Sequence, residues 1–492
     1  MRTAAVAFLL SLLCGTVLTP FVRRLAHRFG VLDHARSSRK IHGKPIPRLG
    51  GIAIVVAFYA PLVTLLLVHT EVGRLFLEER DHVIGLFIGG IAIALLGLYD
   101  DLHGANAWKK FVVQFVVAGL LYRWGFRIEA IANPLGATIS LGWASVPFTM
   151  VWIVGVINAL NLIDGLDGLA GGVALVAVTT TFLVSIQRGH PVMMLFSSAL
   201  AGAILGFLVY NFNPASIFMG DTGSMFLGFV LSTTAIQTNQ KASTAVAVLI
   251  PAIALGLPII DTLLAIARRA VRGRPLFQAD KEHIHHRLMA AGLSHRQTVL
   301  VLYGFCVLLG AGALVLTYAS NAQAALLLLV LALVALVFLR SLGFMRFGDV
   351  SARAADRKRN RALRAAVRPL GRRLQRVHLV DDFRTIMTEA LAIFGAVEMR
   401  LRVVAEDPFG ELIVGEGDAS DPDAMTNEFL VPGGRSGERF LDMTWRDGRR
   451  EVDRDTEIAV DIFCEYVANA LDALQERRGF VGPREAGPMP RA

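Results

Sequence analysis

Eleven apolar runs dominate the chain up to residue 340, at 3–22, 49–69, 83–99, 111–122, 146–163, 169–186, 192–210, 217–236, 244–267, 299–318 and 322–339. A helix rises about 1.5 Å per residue, so most of these runs can cross roughly 30 Å of hydrocarbon. The run at 111–122 is short and spans only if Trp108, Lys109 and Lys110 anchor its end at the interface. The expected fold is an all-α polytopic membrane protein of about eleven transmembrane helices with a C-terminal soluble α+β module. Composition points the same way, with 54% hydrophobic residues, 18% charged and a mean hydropathy of +0.54, which exclude an ordinary water-soluble protein.

Cys14, Cys306 and Cys464 lie far apart, with neither a disulfide framework nor zinc-site spacing. No small-residue cleavage site follows the first apolar run, so it reads as a retained span. The first loop holds Arg23, Arg24, Arg28, Arg36, Arg39, Lys40, Lys44 and Arg48, whereas the next holds Arg74 and Arg80 beside four acidic residues. By the positive-inside rule the first loop is cytoplasmic. Alternation then places 100–110, 158–168, 211–221 and 268–298 on that same side of an inner membrane. The segment 125–145, outside, reads as a hairpin around Asn133-Pro134-Leu135-Gly136.

Beyond 343 the composition changes. Residues 344–376 are arginine-rich and read either as an interfacial helix on anionic lipid or as a solvated linker. Residues 377–478 read as a cytoplasmic α+β module: helix near 380–394, strands near 397–405, 411–415, 427–432 and 438–446, and helix near 455–477. The Pro- and Gly-rich residues 479–492 read as a disordered tail.

Ionisable groups at the ends of apolar spans are costly, so they are functional hypotheses by default. Asp100-Asp101 close the span ending GLYDDLHG; capping explains them poorly, because acids at a helix C-terminus oppose the macrodipole. In NALNLIDGLDGLAGG, Asn158, Asn161 and Asp164 recur every third residue and share a helix face, with glycines around Asp167. In NFNPASIFMGDTGS, Asn211, Asn213 and Asp221 lie before the next span; Asp221 suits a helix cap or a hard cation beside a diphosphate. In DKEHIHHRL, His283, His285 and His286 sit beside Lys281 and Arg287, a basic clamp for a diphosphate rather than a zinc site. All four segments fall on the side assigned as cytoplasmic. Asp261, within an apolar run, suits either the site or helix–helix bonding, and Asp381-Asp382 reads as an ordinary first-turn pair.

These motifs resemble those of the polyprenyl-phosphate N-acetylhexosamine-1-phosphate transferases. The resemblance covers about residues 1–340 and rests on PRLGG (47–51), the aspartate pair, NxxNxxDGxDGLAGG, FMGDTGS and HIHH in order. It implies a magnesium enzyme, with manganese as a substitute, in which Asn161 and Asp221 bind the metal. It also implies that Asp100, Asp101, Asp164, Asp167, His283, His285 and His286 are required, and Asn158, Asn213 and Arg287 are assigned to substrate binding. The implied partners are a UDP-sugar donor, an undecaprenyl phosphate acceptor and membrane lipids, without nucleic acid, and a homodimer is compatible. The spelling HIHH resembles the GlcNAc branch of the family rather than the MurNAc-pentapeptide branch. The tail is faintly similar to a GAF-type module and carries no ligand residues.

The implied reaction moves GlcNAc-1-phosphate onto the lipid phosphate with release of UMP, starting a cell-surface glycan. A phosphate monoester is largely dianionic at neutral pH, so little general-base help from Asp100 or Asp101 is required. A covalent aspartyl route is the rival within this chemistry. An ion-coupled transporter would place its polar residues near mid-membrane in related halves, and no internal repeat is visible. A sensor signalling through the tail is a third reading.

Overall fold

The computed structural model describes residues 1–33, 45–67, 71–131, 139–240, 249–272, 283–343, 363, 365–377, 379–403, 412–415, 424–432, 439–448, 452 and 454–478. The chain divides into two compact units, one of residues 1–270 with 275–346, the other of 347–492 with 271–274.

The first unit opens with α1 (Arg2–Arg28), a short ladder of β1 (Leu32–Asp33) with β2 (Ile46–Pro47), then α2 (Gly50–Leu67), α3 (Glu71–Glu78), α4 (Arg80–His103) and α5 (Ala107–Arg123). A second ladder, β3 (Ala130–Ile131) with β4 (Ile139–Ser140), precedes α6 (Ser145–Ile163), α7 (Leu169–Arg188), α8 (Pro191–Asn211) and α9 (Gly220–Gln240). It closes with α10 (Leu249–Ala254), α11 (Gly256–Arg272), α12 (Ile284–Ala290), α13 (His295–Leu316) and α14 (Asn321–Ser341). The turn of the hairpin expected around Asn133-Pro134-Leu135-Gly136 lies outside the described residues.

Every apolar run carries helix, and among the described residues seven helices are long and apolar enough to cross a membrane: α1, α4, α6, α7, α8, α13 and α14. This is a multi-pass membrane protein. Three of the remaining four runs differ for local reasons. α5 has 17 residues, and the run at 244–267 is divided between α10, of 6 residues, and α11, of 17. α9 begins with Asp221 and turns Thr222, Ser224, Ser232, Thr233 and Thr234 into the protein interior, which lowers its mean hydropathy.

Two close approaches position the polar ends of the helices. A Cβ added to Gly97 would fall 2.5 Å from Thr222 Cα, so the backbones of α4 and α9 touch and Asp100-Asp101 meets the start of α9. The first amides of α2 are satisfied from outside the helix, Gly50 N–H by Phe218 O at 2.9 Å and Gly51 N–H by Met219 O at 2.8 Å. That tie holds Arg48 against the same corner.

The second unit contains α15 (365–374), α16 (Val380–Phe394), β5 (Glu398–Val403), β6 (Leu412–Gly415), β7 (Met425–Val431), β8 (Arg439–Trp445) and α17 (Arg454–Arg478). Its antiparallel sheet has the order β6-β5-β8-β7, with Met399 opposite Met443 and Leu401 opposite Leu441. Strand alternation buries Met399, Leu401, Leu441 and Met443 with Phe463 of α17. On the other face Arg402 pairs with Glu428 and Asp442. Val367, Leu370 and Leu374 of α15 join the same core, while Arg368, Arg372 and Arg376 stay exposed. The apolar face of that helix is therefore buried in protein. Residues 344–362 and the tail 479–492 lie outside the described residues.

Candidate active site

The aspartate pair is built into the junction of α4, α5 and α9. Asp101, 6% exposed, accepts the Asp221 N–H at 2.9 Å through Oδ1, and the Thr222 N–H at 3.0 Å and Thr222 hydroxyl at 2.7 Å through Oδ2. It thus caps α9 from another helix, where the macrodipole favours a negative charge. Arg48 closes the end of α4, donating from Nη2 to Asp101 O at 2.9 Å and standing 3.7 Å from Asp101 Oδ1. These contacts resolve the clash that the sequence presents, an acid pair at a helix C-terminus.

Asp100 and Asp221 are joined by an ammonium. Lys110 Nζ lies 2.9 Å from Asp100 Oδ2 and 2.8 Å from Asp221 Oδ2. Asp100 Oδ1 accepts the N–H of Ala105, fixing its other oxygen toward the lysine.

Asp164 lies in the turn between α6 and α7. Burial, then the neighbouring charges of Asp221, Asp101 and Asp167, pushes its carboxyl up to about 8. Such a group needs either a proton or a cation. Asn161, one turn back on α6, donates from Nδ2 to Ser224 Oγ at 3.0 Å, so its amide oxygen is the remaining ligand-type atom. Asp221, Asp164 and Asn161 together offer oxygen donors only. Among the described residues no three carboxylate, imidazole or thiol groups form a complete cation site. Two carboxylates and one amide oxygen are a donor set that suits an ion such as magnesium, which takes one or two carboxylates and completes its shell with substrate oxygens and water.

Asp167 accepts from Asn213 Nδ2 at 2.9 Å and Ala215 N–H at 3.0 Å, so it holds the loop before α9. Asn211 locks the other side, accepting the Gly168 N–H at 3.1 Å and donating to Ile217 O at 2.9 Å. Asn158 points further inward, donating to Gln114 Oε1 at 2.6 Å and Val154 O at 2.8 Å.

The histidines arrive on α12. A Cβ added to Gly165 would fall 2.9 Å from His285 Nε2, so the imidazole packs directly on the Asp164-Gly165 turn. Burial first, then His286, pushes His285 down to about 3, which keeps its ring neutral rather than a unit of a positive clamp. Its ring centroid lies 5.7 Å from that of His283 and 4.3 Å from that of His286. Buried Asp261, on α11, stands 2.8 Å from His283 Nδ1 and accepts the Ile284 N–H at 2.9 Å. It therefore starts α12 and fixes the first histidine at once. Arg287 donates to Leu342 O at 3.2 Å. Lys281 lies outside the described residues.

The structure thus brings Asp100, Asp101, Asp221 and Asp164 to one corner, with Asp167 and Asn213 bracing it and His285 packed against it. Lys110 and Arg48 are the members that sequence reasoning missed as site residues, and Asp261, left open there between the site and helix–helix bonding, stands beside His283. Lys110 follows the aspartate pair on the first turn of α5, where it reads as a membrane anchor. Arg48 stands within PRLGG and counted only as a loop charge.

The sequence profile of glycosyl transferase family 4 matches residues 83–239, the stretch from α4 through α9. The chain is 38% identical over 316 residues to a probable undecaprenyl-phosphate N-acetylglucosaminyl 1-phosphate transferase of Bacillus subtilis, covering 64% of this chain and 85% of that protein. It is 36% identical over 341 residues to the decaprenyl-phosphate N-acetylglucosaminephosphotransferase of Mycolicibacterium smegmatis, covering 65% and 83%. A phospho-N-acetylmuramoyl-pentapeptide-transferase of Bacillus subtilis matches at 29% over 323 residues, covering 62% and 94%. The aligned length, the order of the motifs and the corner they build agree, and the chain belongs to glycosyl transferase family 4, the polyprenyl-phosphate N-acetylhexosamine-1-phosphate transferases.

Proposed function

We propose that the protein transfers GlcNAc-1-phosphate from UDP-GlcNAc to undecaprenyl phosphate. An oxygen of the lipid phosphate attacks the sugar-bearing phosphorus in line, the bond to UMP breaks, and UMP leaves with the electron pair. The product is a polyprenyl-diphosphate sugar that starts a cell-surface glycan. The carrying observation is the meeting of Asp100, Asp221 and Lys110 at the end of α4 with Asp164 facing them. Relatives named for N-acetylglucosamine transfer match at 38% and 36%, the pentapeptide transferase at 29%, which supports the GlcNAc donor.

Asp221, Asp164 and the Asn161 amide oxygen would hold magnesium, or manganese in its place, and a bound ion there would neutralise diphosphate charge. Lys110 keeps Asp100 and Asp221 within reach of one another and presents its ammonium to phosphate oxygens. Asp101 and Arg48 fix the start of α9, and Asp167 with Asn213 fixes the loop before it. His286 and Arg287 face the donor from α12, and His285 acts as a neutral packing and hydrogen-bonding group. The acceptor is already ionised, so positioning and charge neutralisation carry the catalysis. The charge distribution of the loops supports eleven spans in a cytoplasmic membrane, with the site and the C-terminal module on the cytoplasmic side.

The experiment is purified protein in nanodiscs with magnesium, undecaprenyl phosphate and a panel of UDP-sugars, reading UMP release. UMP from UDP-GlcNAc in the native protein, and its loss in Asp221→Asn, is the expected result. Silence with every UDP-sugar removes the proposal. A burst of UMP without lipid acceptor would replace it with the covalent route.

A further inference from the structure

α4 carries the aspartate pair at one end and a second polar feature at the other. Around Arg80–His82, about 30 Å away along the same helix, lies a cavity of about 560 Å³. That volume falls in the range of small-molecule sites.

The lining includes Glu78, Glu79, Arg80, Asp81 and His82. Asp81 lies 3.6 Å from Arg80, Glu78 3.9 Å from Arg74, and Glu79 3.9 Å from His82. Arg123, in the last turn of α5, and Arg127 just beyond it also line the cavity. Arg127 is fixed in place, with Nε donating to Tyr122 O at 3.1 Å and its guanidinium 5.0 Å from the Tyr122 ring centroid. Arg123 is exposed and forms no ion pair among the described residues.

Two further lining residues are fixed by direct contacts. Gln237, 4% exposed, donates to Gly125 O at 3.2 Å. Gly125, at φ +90, brings its backbone so close that a Cβ would fall 2.8 Å from His82 Nε2. His82 also lines the cavity, and its Nδ1 is buried with no hydrogen bond.

We propose that this cavity binds a phosphate-bearing ligand at the face opposite the carboxylate centre, with Arg123 and Arg127 as its anion contacts. Guanidiniums match the geometry of phosphate oxygens, and Asp81 and Glu78 already stand beside Arg80 and Arg74. The source is either the headgroup of an anionic phospholipid or a free phosphate.

The test uses the full chain in detergent, native and Arg123→Gln/Arg127→Gln. One arm titrates phosphatidylglycerol and measures retained lipid by native mass spectrometry. The other titrates inorganic phosphate and follows its binding by calorimetry. At least a tenfold weaker interaction in the double variant, in either arm, supports the site, and the arm that responds identifies the source. UMP release should be unchanged, since neither arginine belongs to the carboxylate corner, so this outcome is independent of the transferase reading. Equal binding by native and variant protein in both arms, or no binding in either, overturns the proposal. Should the double variant fail to fold, Arg123→Gln alone carries the same comparison with a threefold threshold.

Discussion

At the scale of single residues, the centre depends on how few positive charges stand among many negative ones. Asp100, Asp101, Asp164, Asp167 and Asp221 are gathered near Lys110 and Arg48. Replacing Lys110 with Met leaves Asp100 and Asp221 facing each other without their bridge. Turnover is expected to fall about a hundredfold, the size of a lost preorganised charge contact, with Lys110→Arg recovering part of it; steady-state UMP release checks both. Asp261→Asn should keep the acceptor for Ile284 N–H while changing the partner of His283 Nδ1, so a moderate loss of turnover is expected without a fall in melting temperature. The aspartates and histidines of the corner stood out in the sequence because ionisable groups at span ends are rare enough to attract notice, whereas Asn158 stood out by the same spacing and points away toward Gln114. Lys110, Arg48 and Asp261 were not assigned, because a lysine at an interface, an arginine in a basic loop and one buried aspartate each have an ordinary explanation. Only the folded corner shows which explanation applies.

At the scale of elements, glycines and helix ends decide the geometry. A methyl group on Gly165 would meet His285 Nε2 at 2.9 Å, so Gly165→Ala should push α12 from the Asp164 turn. The expected result is at least a tenfold loss of UMP release with thermal stability nearly unchanged. His285 also makes α12 sensitive to acid. Its folded pKa of about 3 lies below the ordinary 6.5, so the stability it contributes is present above about 6.5 and lost as pH falls. From about pH 7 to about pH 5 the loss approaches roughly 2 kcal/mol. Hydrogen exchange across α12, corrected for intrinsic rates, should rise over that range, and His285→Gln should flatten the response. Helix positions followed from apolar runs, because eleven runs all carry helix. The break between α10 and α11 and the polar lining of α9 did not, since inward-facing hydroxyls and local breaks depend on neighbouring helices.

At the scale of the whole molecule, the family profile, the aspartate corner and α12 all belong to the first unit. Removal of residues 344–492 is therefore expected to leave the KM for UDP-GlcNAc and most of the turnover intact. The sensor reading requires the opposite. The module's strands and helices were readable from alternation and helical periodicity, and Met399, Leu401, Leu441 and Met443 fall on the buried face as that pattern demands. The role of α15 was less visible, because its arginines mask the spacing of Val367, Leu370 and Leu374, which pack into the module.

The central claim is that a sugar and its phosphate move together. UDP-GlcNAc labelled with 32P at the sugar-bearing phosphorus tests it directly, with undecaprenyl phosphate as acceptor and both products separated after a single turnover. The account predicts that the label appears in the lipid and that the nucleotide product is unlabelled UMP. Label retained in UDP, with an unlabelled sugar on the lipid, would contradict it.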